Sequence, residues 1–391
     1  MLISISLLLT FCKLSLAQQV IPLNTLIGNN FENKIDVTPP FSLYVSAQMD
    51  SDFNLNNIYV KTMDNQIKSL KDLRHSRQHA ESGPISPFQA TSQTLITTNL
   101  SNGTLALMNG FIYVTTSKQS TDQSFRVYSV DNINTIKING NVDGNCTIVF
   151  LNTDSRILPA HSSLFTKWQQ PRDATVKMYK GYPTDVLEKN STQIFSNPVL
   201  ATGKLLYIPT VETFAVTLGI FYMKTTNDVY FQVDSRNIDF NGYSTQNYQT
   251  TGFFMKSKEV VGHNVTINCL RDTRFNGTTG ANIMGYMPTK YGKVTVQTND
   301  NTFADSFTVT PVDGILGGSV DKIGKNMTIS SVDTDGGEFF VQYYVVQGEQ
   351  ISSTYAPGEP TPPTYESTTK GVKNSKLMLV VGILFLSILS L

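Results

Sequence analysis

The chain is poor in cysteine. Of its 391 residues only Cys12, Cys146 and Cys269 are cysteines, which excludes the disulfide-dense scaffolds that small secreted domains use in place of a core. Charge is sparse too, at 15% of residues, and the 30 basic and 30 acidic side chains cancel. No net field therefore draws the chain to nucleic acid or to an anionic membrane surface. There is one tryptophan, Trp168, and the four histidines, His75, His79, His161 and His263, are scattered without a partner pattern. The sequence contains no GxSxG elbow, no HExxH pair and no GxxxxGK loop, so serine-hydrolase, zinc-protease and phosphate-loop chemistries have no motif to rest on. No catalytic residue, metal-ligand set or cofactor is read from it, and the expectation is a protein that is not an enzyme.

What is present begins at the two ends. Residues 1–17 read as a secretory signal, with an apolar run from Leu2 to Phe11 and small residues at Ser15 and Ala17 where a signal peptidase inspects the chain. At the far end, 377–391 is an apolar tail. As a helix it is roughly 22 Å long, short of a hydrocarbon core of about 30 Å, and no basic residue follows it. Upstream lie a polar spacer and the small residues Ser367, Thr368 and Thr369, the arrangement of a glycosylphosphatidylinositol signal. Ser367 is the expected lipid-attachment residue, with a single transmembrane helix as the alternative. Together the ends predict passage through the secretory pathway to the outer face of the plasma membrane. Between tail and body, 349–376 is a Pro/Thr-rich stalk, held extended by its prolines.

The body has the composition of an extracellular β protein, rich in Thr, Asn, Ser and aromatic residues. Ser-Phe-Arg-Val-Tyr-Ser-Val-Asp at Ser124 to Asp131 has an echo in Ser-Phe-Thr-Val-Thr-Pro-Val-Asp at Ser306 to Asp313, and the same shift lays Ile112 to Thr116 on Val294 to Thr298. The apolar parity survives: Ile112 matches Val294, Phe125 matches Phe307 and Val127 matches Val309. A slip of one residue would have reversed every such position. The expected architecture is all-β, two tandem jelly-roll β-sandwiches at 24–153 and 200–348, joined by a linker at 154–199 that holds Trp168 and several prolines.

Four local features complete the reading. Lys68, Lys71, Arg74 and Arg77 recur at three-residue spacing within Gln66 to Ala80, which would group them on one side of a short helix, anchored by Ile67 and Leu70, as an anion contact or a solvated face. Trp168 suits either a carbohydrate-stacking platform or a gap between domains. Sequons for N-glycosylation stand at Asn99, Asn102, Asn145, Asn190, Asn264, Asn276 and Asn326, marking positions that face water. Cys146 and Cys269 either form a disulfide between the domains or stay buried as small hydrophobes.

Signal, paired β repeats carrying the two Ser-Phe motifs above, a closing Gly-Glu-Phe-Phe-Val-Gln-Tyr-Tyr strand at Gly337 to Tyr344, stalk and anchor tail together resemble the CUB-like family expanded in nematodes. Ordinary CUB domains carry paired disulfides and, in calcium-binding members, a set of acidic residues; neither maps onto this chain. The resemblance implies jelly-roll sandwiches and a role in the response to microbes, through recognition of glycans or extracellular proteins. A structural coat or adhesion glycoprotein is the alternative reading, followed by a glycan-processing enzyme whose paired carboxylates only a fold would reveal.

Overall fold

The computed structural model describes residues 19–78, 83–130, 136–139, 145–153, 161–184, 193–237, 243–244, 249–256, 265–269, 275–286, 291–300, 303–309, 315–321, 323–332 and 336–350. The leader, the tail, Ser367, Asn190, Asn264, His79, His263 and all of the stalk beyond Gln350 lie outside these residues. The fold is all-β, as the composition requires, with short helices inserted near the start.

Among the described residues strand pairing gives three pairs of facing sheets and one two-stranded hairpin, Val199–Ala201 with Lys204–Leu206. In the first, Gln19–Pro22, Gly110–Val114, Phe41–Ala47 and Phe88–Ala90 form one sheet, and Asn33–Lys34, Thr94–Thr98, Ile58–Thr62 and Ile67–Ser69 the other. Leu43, Val45, Ile112 and Val114 from one side meet Ile58, Val60 and Ile96 from the other in a single core. In the second, Gln193–Asn197, Thr175–Lys180, Ile220–Thr226, Asn145–Leu151 and Phe125–Ser129 face Ile136–Asn139, Tyr230–Asn237, His161–Gln169 and Phe214–Val216. Its core is a pack of rings: Phe150, Phe165, Phe214, Phe221 and Phe231 are all buried together. In the third, Thr210–Val211, Thr250–Lys256, Glu338–Gln350, Phe275–Tyr286 and Leu316–Val320 face Tyr243–Ser244, Val265–Asn268, Asn326–Val332, Lys293–Asp300 and Phe303–Val309, over a core that includes Val265, Ile283, Val296 and Val341.

Two strands explain how these pairs pack on one another. Phe41–Ala47 is buried along its whole length. Because side chains alternate faces, Leu43 and Val45 enter the first core, while Tyr44 joins Phe111 and Tyr113 against Val127, Val149, Tyr179 and Tyr222 of the second. The Ser46 and Thr153 hydroxyls, 2.7 Å apart, tie the same seam. Glu338–Gln350 does likewise farther on: Phe339, Val341, Tyr343 and Val345 enter the third core, and Phe340 points the opposite way into the second. On the third-core face the Tyr343 ring lies across Gly252, where an added Cβ would come within 2.1 Å of the tyrosine oxygen, so glycine is the residue that lets this ring lie flat on the neighbouring strand.

Two features of the strand pairing bear on the expected organisation. Phe125 and Phe307 both lie in strands, each at the end of a five-stranded sheet, yet the strands matched by the internal shift have unlike partners. Gly110–Val114 pairs with Gln19–Pro22 and Phe41–Ala47, whereas its counterpart Lys293–Asp300 pairs with Phe303–Val309 and Asn326–Val332. Shared alternation reports half-buried strands, which any sandwich contains, and does not fix their neighbours. The expected linker, 154–199, supplies His161–Gln169, Thr175–Lys180 and Gln193–Asn197 to the second pair of sheets. Its prolines punctuate strands: Pro171 closes a turn with Ala174, and Pro198 separates Gln193–Asn197 from the following strand Val199–Ala201.

Candidate ligand-binding face

The outward face of the second pair's five-stranded sheet carries a concavity lined by hydroxyls and two lysines. Along Thr175–Lys180 the residues Val176 and Met178 point into the ring-filled core, so Thr175, Lys177 and Tyr179 point out. The same parity sends Lys224 and Thr226 outward on Ile220–Thr226, and Asn145 and Thr147 outward on Asn145–Leu151. Lys177 stands directly opposite Lys224, Lys224 opposite Thr147 and Asn145 opposite Thr226. Nearer the first pair of sheets this face is apolar and covered, with Tyr179 stacked on Tyr222 at 4.9 Å between centroids and 13° between planes. Past that seam it opens into a depression of about 300 Å³, the small end of the roughly 300–1,000 Å³ usual for ligand sites.

The depression is electropositive and rich in hydroxyls. The described residues lining it are Asn145, Thr147, Thr175, Lys177, Lys224, Thr226 and their neighbours, two amines and no carboxylate. Lys177 and Lys224 are thus neighbouring cations on adjacent strands of this face. The Thr226 hydroxyl accepts from Thr175 N at 2.9 Å and lies 2.8 Å from the Thr175 hydroxyl, which fixes the wall beside the lysines.

The sequence-derived cationic group is dispersed. The helix covers only Leu70–His75, begun by Ser69, whose hydroxyl accepts from Asp72 N at 3.1 Å. Lys68 falls on the strand before it and is exposed, Lys71 is half-buried, and Arg77 pairs as an isolated bridge with Ile85. Arg74 is 1% exposed, donating from Nη1 to Asp52 Oδ1 at 2.7 Å and from Nε to Ala47 O at 3.1 Å. His75 Nε2 reaches the other Asp52 oxygen at 2.6 Å. The four cations therefore do not share a helix side, and Ile67, expected as an anchor, is 58% exposed. Burial, the largest single influence on Asp52, would raise its pKa, but the hydrogen bond from His75 and the charge of Arg74 outweigh it and hold the carboxyl below its ordinary range.

The other candidates separate cleanly. Trp168 is half-buried and packs against the edge of the second core, stacked on Phe231 at 5.2 Å and 20°, with Nε1 donating to Gln170 Oε1 at 3.1 Å. Cys146 and Cys269 are both free and buried, in the second and third cores respectively. The disulfide expectation is thereby corrected, and the small-hydrophobe alternative describes them. Burial pushes their thiols up to about 11 and about 12, far from thiolate reactivity at neutral pH. Among the sequons, Asn99, Asn102, Asn145 and Asn276 are exposed and Asn326 is half-buried, its Oδ1 accepting from Asn299 Nδ2 at 3.3 Å. Among the described residues no group of three or more His, Cys, Asp or Glu side chains is placed to hold a metal, and no helix is long and apolar enough to cross a membrane. Sequence reasoning missed the Lys177 and Lys224 pair because they belong to strands that it read as a linker and as part of a different repeat.

Comparison with known proteins adds a family. The sequence model of a transmembrane glycoprotein family matches residues 38–386. The chain belongs to that family. A transmembrane glycoprotein of this kind is a membrane or surface protein, in keeping with its exposed sequons. No curated protein matches the chain. Among solved structures, a chain of the Sulfolobus turreted icosahedral virus is 10% identical, with 86% of this chain and 84% of that one covered and a TM-score of 0.16. A chain of the infectious bursal disease virus VP2 subviral particle is 7% identical, with 83% and 78% covered and a TM-score of 0.12. Likenesses at those scores carry no argument about this glycoprotein's fold or function.

Proposed function

We propose that this glycoprotein is a non-enzymatic cell-surface recognition protein, its β-sandwiches acting as binding modules of CUB-like type for acidic glycans. The observation that carries the reading is the cross-strand pair Lys177 and Lys224 in a hydroxyl-lined depression with no carboxylate among its described lining residues. Sulfated or carboxylated sugars match that chemistry: their charge sits between the amines, and their hydroxyls meet Thr147 and Thr226. A part in the response to microbes is the role that the CUB-like resemblance adds. The purified ectodomain should bind a sulfated oligosaccharide with an affinity that falls as salt rises. Exposed charge contacts are worth roughly 1 kcal/mol apiece, so the double variant Lys177→Gln/Lys224→Gln should lose on the order of tenfold to thirtyfold in affinity. Equal binding by the double variant would refute the assignment of the site.

Attachment to the membrane is proposed to run through a lipid at Ser367. The family's description favours a second reading, a single helix formed by the tail. Phosphatidylinositol-specific phospholipase C should release the protein from intact cells; if it stays on them, the lipid is excluded and the helix is left.

A further inference from the structure

The sequon that begins at Asn145 opens on the same depression. Asn145 is exposed, the first residue of its strand, and one of the residues lining the concavity. Thr147, the sequon's third residue, stands opposite Lys224 on that face. Cys146 between them turns the other way, into the core, where its Sγ donates to Ser124 O at 3.0 Å. Sequon and depression thus share a surface, whereas the exposed Asn276 lies on a strand of the third pair of sheets. Neighbouring strands are about 4.8 Å apart. The strand of Lys177 is therefore only roughly 10 Å from that of Asn145, two strand spacings away across Ile220–Thr226, within the reach of the first few sugars of an N-linked chain.

We infer that an N-linked glycan on Asn145 lies over the Lys177 and Lys224 depression and gates its access to external ligands. This rests on the reading of the depression as an acidic-glycan site. An internal occupant lowers apparent affinity in proportion to the fraction of molecules left open, so a chain covering the site nine-tenths of the time weakens external binding by about tenfold. Neutral core sugars would act as a cover, and acidic termini would compete directly for the amines. Processing of this one glycan in the secretory pathway would then set the binding strength of the mature surface protein.

The test compares wild type, Asn145→Gln, Asn276→Gln and Lys177→Gln/Lys224→Gln ectodomains from a glycosylating host, with glycopeptide mass spectrometry at Asn145 and binding to a heparin-derived oligosaccharide. Expected are occupancy at Asn145, binding by Asn145→Gln roughly tenfold tighter than wild type, and no change for Asn276→Gln. Enzymatic trimming of wild-type glycans should reproduce the Asn145→Gln gain. An unoccupied Asn145, or an occupied one with Asn145→Gln binding like wild type while the lysine double variant loses affinity, overturns the gate and leaves the binding site standing. If Asn145→Gln and trimmed wild type do not bind the oligosaccharide at all, both the gate and the site reading fall.

Discussion

Replacing Gln342 with alanine is expected to destabilise the protein by roughly 3 kcal/mol or more in chemical denaturation. Gln342 is 3% exposed on Glu338–Gln350, and its side-chain amide behaves as one more residue of a sheet. Its Oε1 accepts from Ser196 N at 3.0 Å, and its Nε2 donates to Ser196 O at 2.6 Å and to the Thr251 hydroxyl at 3.1 Å. Ser196 belongs to the end strand of the second pair's five-stranded sheet, so the amide satisfies backbone groups that have no strand beside them. Alanine strands a buried N–H and a buried C=O together, each costing about 1–3 kcal/mol. Gln342→Glu separates hydrogen bonding from packing. Its added oxygen faces the Ser196 carbonyl, so the buried acid favours its protonated form and its folded pKa rises above the unfolded value. The variant should then be most stable below the unfolded glutamate range and lose stability as pH rises through the raised folded value. A flat pH profile for Gln342→Glu, or a cost for Gln342→Ala under 1 kcal/mol, would count against the clamp.

Phe150→Ala should cost about 3–5 kcal/mol and lower the thermal midpoint by roughly 10 °C. Phe150 is fully buried and sits among Phe221 at 4.8 Å, Phe165 at 5.6 Å, Tyr128 at 6.3 Å and Phe231 at 6.5 Å between ring centroids. Four neighbouring rings cannot all collapse into the space that one leaves, so the cavity persists. Phe150→Leu retains much of the volume and should cost about half as much. Equal costs for the two would mean that ring geometry, rather than the void, carries the stabilisation.

Much of the fold class could be read from residues alone. Ile58–Thr62 alternates buried and exposed as its sequence does, and the Phe340 to Val346 segment lies within one strand, as expected. Pairing was harder, because a strand's neighbours are set by contacts far away in the chain. Ser124 to Asp131 and Ser306 to Asp313 look alike because both must show one apolar face, and nothing in eight residues says that one runs parallel to Asn145–Leu151 while the other closes a hairpin with Lys293–Asp300. Arg74 illustrates the same limit on the site side. Its spacing from Lys71 and Arg77 suggested a shared surface, but Asp52, which takes it into the interior, lies outside the short window that the spacing scanned. The sequon at Asn145 was legible. That two lysines share its face was not, since Lys177 and Lys224 meet only through strand register.

Glu338–Gln350 is the central strand of its sheet, between Thr250–Lys256 and Phe275–Tyr286, and also the last strand described. Tension directed along its length would act perpendicular to the ladders of hydrogen bonds on both sides. Such a load is shared by many bonds at once and has no free end from which to peel them singly. A central strand gripped on both flanks therefore yields to shear only when both ladders give way together.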